Sequence, residues 1–334
     1  MNNKPSGGNF QPRLTLTFAA LTVFFLFAVN TVGFVDTETG SALGCGHQWP
    51  LCHGYLIPPH MGLHTLIEFS HRGLVPIATI FLLLTSAMAL KLYRRVKEVV
   101  WLIVIAIAAV LMQAALGAIG VLHGDPPWFL AFHFGISLIA LNGAVLLFLV
   151  IRQLRRSNAD VRSGNYQLRK DYKDKRIRRW TWITVIYIYI EMYFGAYISS
   201  TGASKFFKGW PVPTESFKVA GFAMVDDWIH RSLALGLIIL SLMLVRMAWQ
   251  VRFERPDILR IGWTLFGLVI AQALSGAYIV LDHGLASFLV HVSLVSVLFA
   301  TLCYLALQVL PDSRRPLEAK PSRKSPSEGT AAKV

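Results

Sequence analysis

Long apolar runs alternate with short polar stretches along most of this chain. A helix that crosses a bilayer needs about 20 apolar residues, and eight runs approach or exceed that length, the fifth being the shortest. These runs span residues 14–35, 66–92, 99–122, 128–151, 180–199, 227–250, 259–281 and 285–310. The pattern predicts an all-α membrane protein with eight transmembrane helices.

Basic residues separate the two sides of the predicted membrane. Lys and Arg cluster after the second, fourth and sixth runs, and neither residue type occurs between Arg13 and Arg72. Because basic loops stay preferentially in the cytoplasm, we expect a multi-pass protein of the bacterial cytoplasmic (inner) membrane with both termini cytoplasmic. Three residues in the outward loop at 200–226 depart from this rule: Lys205, Lys208 and Lys218.

The chain contains an internal duplication. The stretch Gln113–Gly124 resembles Gln272–Gly284 with one inserted residue. Each half holds four apolar runs, an even number, so the halves share one orientation, unlike the inverted repeats of many transporters. We therefore predict two parallel-repeat four-helix bundles. The predicted division is a cytoplasmic N-terminus at 1–13, bundles at 14–151 and 180–310, a basic cytoplasmic linker at 152–179 and a disordered basic tail at 311–334.

Composition supports the membrane prediction. Hydrophobic residues make up 54% of the 334 residues and charged residues 15%, whereas soluble domains carry roughly 25% charged residues. The net charge of +14 is confined to a few loops and the tail, so it indicates membrane topology and not a nucleic-acid-binding face. The first apolar run is too long for a cleaved signal and is interpreted as a retained helix.

Histidines supply the first candidate chemistry. All ten lie in predicted outward loops or in the outer part of an apolar run. Four lie within runs, each about four to seven residues after the run begins, which corresponds to about 6–10 Å along a helix. These four are His71, His133, His230 and His291. The pattern therefore predicts four imidazoles at similar depth, one pair in each half.

Two imidazoles that face each other from different helices can hold a haem iron from both sides. The pairs would be His71 with His133 and His230 with His291. A single membrane histidine often only donates a hydrogen bond to a neighbouring helix, but four at repeat-related positions favour ligation. Copper or di-iron is an alternative, although carboxylates beside the histidines are too few for a di-iron bundle.

Other residues near these histidines have two open interpretations each. Arg72 and Arg231 follow their histidines directly and could pair with haem propionates or extend to the outer interface. Small residues (Gly117, Gly120 and Gly276) would admit a flat cofactor or simply a closely packed helix.

The two predicted bundles are not identical. Glu68 precedes His71 by three residues, so both project from one helix face, whereas the matching Asp227 is predicted at the wetter edge of the sixth run. Cys45 and Cys52 occur only in the first outward loop, where a disulfide or a redox role is open. We therefore expect the reaction centre in the first half.

Four further side chains lie in the apolar runs or at their ends. Glu191, inside the fifth run, could relay protons or pair with a polar neighbour. His123 and His283 occupy repeat-related positions at the outer ends of their runs and compete as candidate ligands. Cys303 is interpreted as a small core residue.

Motifs along residues 14–310 resemble the haem A synthase family. The most specific are Thr39-Gly-Ser41, the loop from Cys45 to Gly54, Glu68-Phe-Ser-His-Arg72, Phe132-His-Phe-Gly-Ile-Ser137, His230-Arg231 and Gln272-Ala-Leu-Ser-Gly276. The resemblance implies two four-helix bundles and oxidation of the C8 methyl group of haem O to a formyl group, which gives haem A for terminal oxidases. Hydroxylation would occur in successive steps, with water lost from a geminal diol.

The resemblance also implies roles for individual residues. His71 and His133 would bind the haem O substrate, and His230 and His291 a haem b cofactor. Glu68 matches the family's essential acid, and a desolvated carboxyl there could move protons. Cys45 and Cys52 match the N-terminal cysteine pair. The partners implied are membrane lipid, haem O, the haem O synthase that supplies it and an unidentified electron donor.

The chain also departs from the family. A second cysteine pair common in bacterial members is replaced by Lys205-Phe-Phe-Lys208, and Glu38 and Ala42 replace a usual basic residue and a usual glycine. A di-haem, quinol-linked membrane cytochrome of the b type is the alternative function, because histidine pairs alone fit it equally well. A transporter is a third class, but it gives no reason for four histidines at one depth. The sequence is compatible with a homo-oligomer.

Overall fold

The computed structural model describes residues 10–157, 161, 166–169, 175–203 and 206–311. Its helices are α1 (Phe10–Glu38), α2 (Leu63–Tyr93), α3 (Lys97–His123), α4 (Pro127–Arg156), α5 (Lys175–Ser200), α6 (Phe217–Ala220), α7 (Phe222–Gln250), α8 (Pro256–Asp282) and α9 (Leu285–Gln308). Among the described residues, eight of these helices are long and apolar enough to cross a membrane. The predicted all-α membrane architecture is therefore confirmed.

Each predicted apolar run corresponds to one long helix. Most helices are longer than their runs, because helix-favouring polar residues continue the backbone hydrogen bonding past the apolar core. In α4 the last turn is polar and carries Arg155 and Arg156. Proline occupies the first turn of both α4 and α8, where its missing N–H costs no hydrogen bond. The short helix α6 lies in the outward loop and was not predicted.

The long helices pack as two groups. Helices α1 to α4 contact one another, as do α5, α7, α8 and α9, and the groups meet where α4 packs against α5 and α9 and where α1 packs against α9. Leu138 of α4 joins the buried cluster of the second group. Large apolar side chains such as Trp101, Leu235 and Ile239 remain exposed along the helices, as lipid-facing surfaces require. The internal duplication and the domain limits stay predictions.

Buried ion pairs join chain segments at the end of the molecule opposite the histidines. Arg169, in the segment between the two groups, donates to Glu98 at 2.6 Å and to the carbonyl oxygen of Pro311 at 2.7 Å. Arg255 similarly binds Asp257 at 2.7 Å and the Gln308 carbonyl at 3.2 Å. The tail predicted to be disordered lies, from residue 312 onward, outside the described residues, as do residues 1–9 and much of the linker.

Candidate functional site

The four histidines lie on four different helices, and each ring rests against a glycine of a neighbouring helix. His71 on α2 faces Gly33 of α1, and His230 on α7 faces Gly195 of α5. A Cβ atom at these glycines would come within 2.8 Å and 3.1 Å of the imidazole Cε1, closer than carbon atoms pack. Glycine is therefore needed at both positions for the ring to lie where it does. Sequence analysis did not assign these two glycines to a histidine.

The second histidine of each half has looser contacts of the same kind. A Cβ atom at Gly117 of α3 would lie 3.5 Å from His133, and one at Gly276 of α8 would lie 3.6 Å from His291. Gly120, the third predicted small residue, faces Phe129 and Asp125 instead. Two of the three predicted small residues thus lie directly against a histidine.

His230 and His291, one of the predicted pairs, line the same cavity. All four histidine side chains are half-buried. In the first group the two rings are on α2 and α4, and in the second group they are on α7 and α9.

A cavity of about 440 Å³ lies between the rings of the second pair. His230 and His291 both line it, and Phe34 and Phe134 of the first group close one side. Ligand sites in proteins are commonly about 300–1,000 Å³, mostly apolar, with a few convergent polar groups. Two facing imidazoles in apolar surroundings fit a porphyrin iron.

Second contacts orient the imidazole rings. The His71 Nδ1 lies 3.1 Å from the Val29 carbonyl oxygen, and the His291 Nδ1 lies 2.8 Å from the Ser275 hydroxyl. A metal-ligating histidine usually donates its other ring N–H in this way, which fixes the tautomer. In His71 this contact leaves Nε2 as the nitrogen that can face an iron.

Two glutamines face the second histidine of each half. Gln113 Nε2 lies 2.6 Å from His133 Nε2, and Gln272 Nε2 lies 3.0 Å from His291 Nε2. The Oε1 atoms of both glutamines are buried and have no hydrogen-bond partner among the described residues. Sequence reasoning noted these glutamines only as part of the duplicated stretch. Each glutamine lies four residues before the glycine that contacts the same histidine, and residues i and i+4 share one helix face. This spacing was the available sequence signal.

Glu68 holds the first outward loop on α2. The side chain is 2% exposed. One carboxylate oxygen accepts a hydrogen bond from the Cys45 backbone N–H at 2.6 Å, and the other is paired with the Arg72 guanidinium. The Glu68 carboxylate therefore has two hydrogen-bonding partners. Sequence analysis predicted a desolvated carboxyl group but not these partners.

Cys45 and Cys52 form a disulfide, and both are almost fully buried. The predicted disulfide is therefore confirmed. Since the Cys45 amide binds Glu68, the bridge and the acid belong to one structural unit beside His71. Cys303 is a free, half-buried thiol on α9.

Arg72 and Arg231 bind loop carbonyl groups, a contact that sequence reasoning missed. Arg72 Nη1 donates to the carbonyl oxygens of Gln48 and Leu51 at 2.7 and 2.9 Å. Arg231 Nη1 donates to those of Gly209 and Pro211, both at 2.9 Å. Both arginines thus hold a Trp-Pro segment, 49–50 or 210–211, and this repeated dipeptide was the available signal.

Arg231 also has a hydrogen-bond donor that it does not use within the described residues. Its Nη2 atom is buried and has no hydrogen-bond partner among the described residues. A buried guanidinium nitrogen without an acceptor is costly, so a bound carboxylate beside Arg231 would be stabilised. The residue lines the same cavity as His230 and His291.

Asp227 corrects the predicted contrast between the halves. It was expected at the wet edge of its helix, but it is 7% exposed and its Oδ2 lies 2.7 Å from Arg231 Nε. The reason is that α7 begins at Phe222, five residues earlier than predicted, so Asp227 lies inside the helix and pairs with Arg231. Asp227 therefore repeats the ion pair that Glu68 makes with Arg72.

The remaining candidates lie apart from each other. Glu191 is buried on α5 and lies 3.5 Å from His230 Nδ1. His123 is exposed at the end of α3, and His283 forms the left-handed C-cap of α8. Neither lines the cavity between His230 and His291. In the second outward loop Lys205 lies outside the described residues, while the Lys208 amide binds Glu215 at 3.0 Å.

Comparison with known proteins finds relatives over most of the chain. The model of a family described as "Cytochrome oxidase assembly protein" (COX15-CtaA) matches residues 16–227. A protein named "Heme A synthase" from Staphylococcus haemolyticus is 31% identical over 306 residues, 90% of this chain and 97% of the relative. One from Staphylococcus carnosus is 32% identical (91% and 97%), and one from Geobacillus kaustophilus is 32% identical (90% and 93%). Each match covers most of both sequences. The chain therefore belongs to the COX15-CtaA family of cytochrome oxidase assembly proteins.

Proposed function

We propose that this protein is a haem A synthase, an oxidoreductase that converts the C8 methyl group of haem O to the formyl group of haem A. The observation that carries the proposal is the pair of imidazoles in each half, every ring lying against a glycine. The names of the relatives support the same reaction. Each of two successive hydroxylations would use dioxygen, two protons and two electrons, and water is then lost from the geminal diol. The net change is CH3 + 2 O2 + 4 H⁺ + 4 e⁻ → CHO + 3 H2O, so the site needs a supply of protons and an electron donor.

In this proposal the two halves have different tasks. His71 and His133 bind the substrate haem O through Nε2, while His230 and His291 hold a haem b cofactor in the cavity of about 440 Å³. When bound, that haem supplies one-electron transfer. Arg231 would bind a propionate through its unpartnered Nη2. Arg72 is the corresponding partner in the first half.

Glu68 is the proposed catalytic acid. Its carboxylate is buried one helical turn from His71 and bonded to the loop that carries the disulfide. A group at this place can move the protons that loss of water from the geminal diol requires, giving one to the leaving hydroxyl group and taking one from the other. Arg72 and the Cys45 amide hold the carboxylate in position and limit its rotation.

The remaining parts of the proposal concern topology and partners. Each half forms one four-helix bundle of a parallel repeat, in the bacterial inner membrane, with both termini in the cytoplasm. Haem O reaches the site from the membrane, supplied by a haem O synthase, and an unidentified electron donor completes the cycle. The basic segments after α2, α4 and α7 support this orientation.

A di-haem membrane cytochrome is the second candidate. The matching ion pairs Glu68–Arg72 and Asp227–Arg231 favour it, because they make the two halves more alike than an enzyme with one reaction centre requires. The disulfide in the first loop alone favours the synthase.

The deciding experiment is co-expression of the full chain with a haem O synthase in a host that lacks haem A. Haems extracted from the purified protein are identified by mass. We expect haem A beside haem b. Haem b together with unconverted haem O would favour the cytochrome, and a chain without haem would contradict both functions.

A further inference from the structure

Glu191 is a buried acid that the proposed reaction does not use. It lies on α5, is 8% exposed and lines the cavity that contains His230 and His291. An acidic side chain inside a membrane-spanning helix is costly and is usually retained for function. What this carboxylate contacts therefore bears on the role of the cavity.

The nearest polar group on the neighbouring helix is the ligand histidine. Glu191 Oε1 lies 3.5 Å from His230 Nδ1, and this nitrogen is buried with no hydrogen bond among the described residues. The separation is longer than the 2.7–3.2 Å of an N–H···O hydrogen bond, so a small rotation of the carboxylate closes it. Tyr187, one turn earlier on α5, does not compete, because its hydroxyl donates to the Leu233 carbonyl at 2.9 Å.

The matching position in the first half is different. Glu191 precedes Gly195 by four residues, and Val29 precedes Gly33 by the same distance. At Val29 it is the backbone carbonyl oxygen that faces His71 Nδ1, at 3.1 Å. Equivalent histidines thus have a neutral carbonyl oxygen as acceptor in one half and a carboxylate in the other.

The acceptor on Nδ1 changes what the opposite nitrogen does. A carboxylate acceptor makes the imidazole a more basic ligand than a carbonyl acceptor does. A more electron-donating ligand stabilises the oxidised iron, and hydrogen bonding around the ligands is one of the ways a protein sets haem potential. The carboxylate also fixes the plane of the ring.

We propose that Glu191 is a positioning residue for His230 that lowers the reduction potential of the C-terminal haem. The inference rests on the proposed haem b site and adds to it a direction: the C-terminal haem is tuned to give electrons away. In the first half, where the acceptor is a carbonyl, no such lowering is expected.

The test is a potentiometric titration of the purified full chain loaded with haem b, in a His71→Ala background that leaves only the C-terminal pair intact. Glu191→Gln keeps the shape of the side chain and weakens its acceptor. We expect the variant to favour the reduced haem by about tenfold, which is 59 mV for a one-electron couple. The low-spin EPR signal of the oxidised haem should shift as well.

Two further variants separate the outcomes. Glu215→Gln removes an acid from the exposed outward loop and should leave the potential unchanged. Glu191→Asp keeps the acid but withdraws it from Nδ1, so its potential should lie between wild type and Gln. A haem whose potential is the same in all Glu191 variants overturns the role of Glu191 alone. A His71→Ala protein that binds no haem overturns the haem b site, and this inference with it.

Discussion

The N-terminal and C-terminal helix groups hold their histidines in the same way but surround them with different polar groups. Both press each histidine against a glycine, both aim a glutamine at the second histidine, and both use an acid–arginine pair to hold a Trp-Pro loop. Among the described residues, the first loop has a disulfide and the second does not, and an ion pair between a carboxylate and a candidate ligand histidine is found only in the second group.

The difference shows which features belong to the scaffold and which to the chemistry. In the proposed function, the features present in both halves hold the two haems. Glu68 and Asp227 make the same ion pair, so the acid alone does not distinguish the halves. The distinction rests on the rigid, bridged loop around Glu68 and on Glu191 next to His230. Removing one element from one half at a time therefore tests whether the two halves respond differently.

The largest effect is expected from the histidines. His71→Ala should abolish haem A formation, a loss of about 100-fold or more, yet leave the C-terminal haem, because an axial ligand is worth at least as much as the outer contacts that orient it. His230→Ala should remove the C-terminal haem. Counting haems per chain by absorption and mass checks both. If either variant lost all haem while remaining folded, the two halves would not be separate sites.

The two acids should differ next. Glu68→Gln should keep haem O bound but lower haem A formation by about 100-fold, since a positioned proton-transfer group contributes at least that much. Asp227→Asn, which breaks the equivalent ion pair at 2.7 Å, should cost less than about tenfold. Product is quantified by mass per bound haem. Equal losses in both variants would mean that the ion pair matters for loop position and not for proton transfer.

Removing the disulfide should affect the first half alone. Cys45→Ser with Cys52→Ser opens a short loop, and the chain-entropy estimate for such a loop is about 2.5 kcal/mol of unfolding free energy. The loop should become sensitive to proteolysis, and Glu68 should lose the Cys45 amide as a fixed donor. Limited proteolysis with mass mapping distinguishes this from general destabilisation, because the loop held by Arg231 serves as an internal control. Equal cleavage of both loops would contradict the prediction.

The sequence was sufficient for features that depend on local pattern. Eight helices follow from eight apolar runs, and the pairing of Cys45 with Cys52 follows from a short loop on the outward side. Contacts that depend on how loops dock were not predictable. Asp227 is buried and pairs with Arg231, which also binds the 209–211 segment, and nothing local to Asp227 encodes that segment. The facing of Gln113 toward His133 likewise depends on the rotation of α3 against α4.

The smallest effect is expected from the outer contact of His291. The Ser275 hydroxyl lies 2.8 Å from His291 Nδ1, and orienting contacts of this kind are worth about 10- to 100-fold in affinity. Gln272 and the close packing of α8 at Gly276 also restrain the His291 ring. Ser275→Ala should therefore weaken haem b binding by only about tenfold. The position equivalent to Ser275 in the duplicated stretch is Leu116, so the first half does without a hydroxyl there. Leu116→Ala is the matched control and should leave haem b affinity unchanged. Haem transfer to an acceptor protein measures both, and a Ser275 variant that releases haem no faster than the control would show that helix packing alone orients His291.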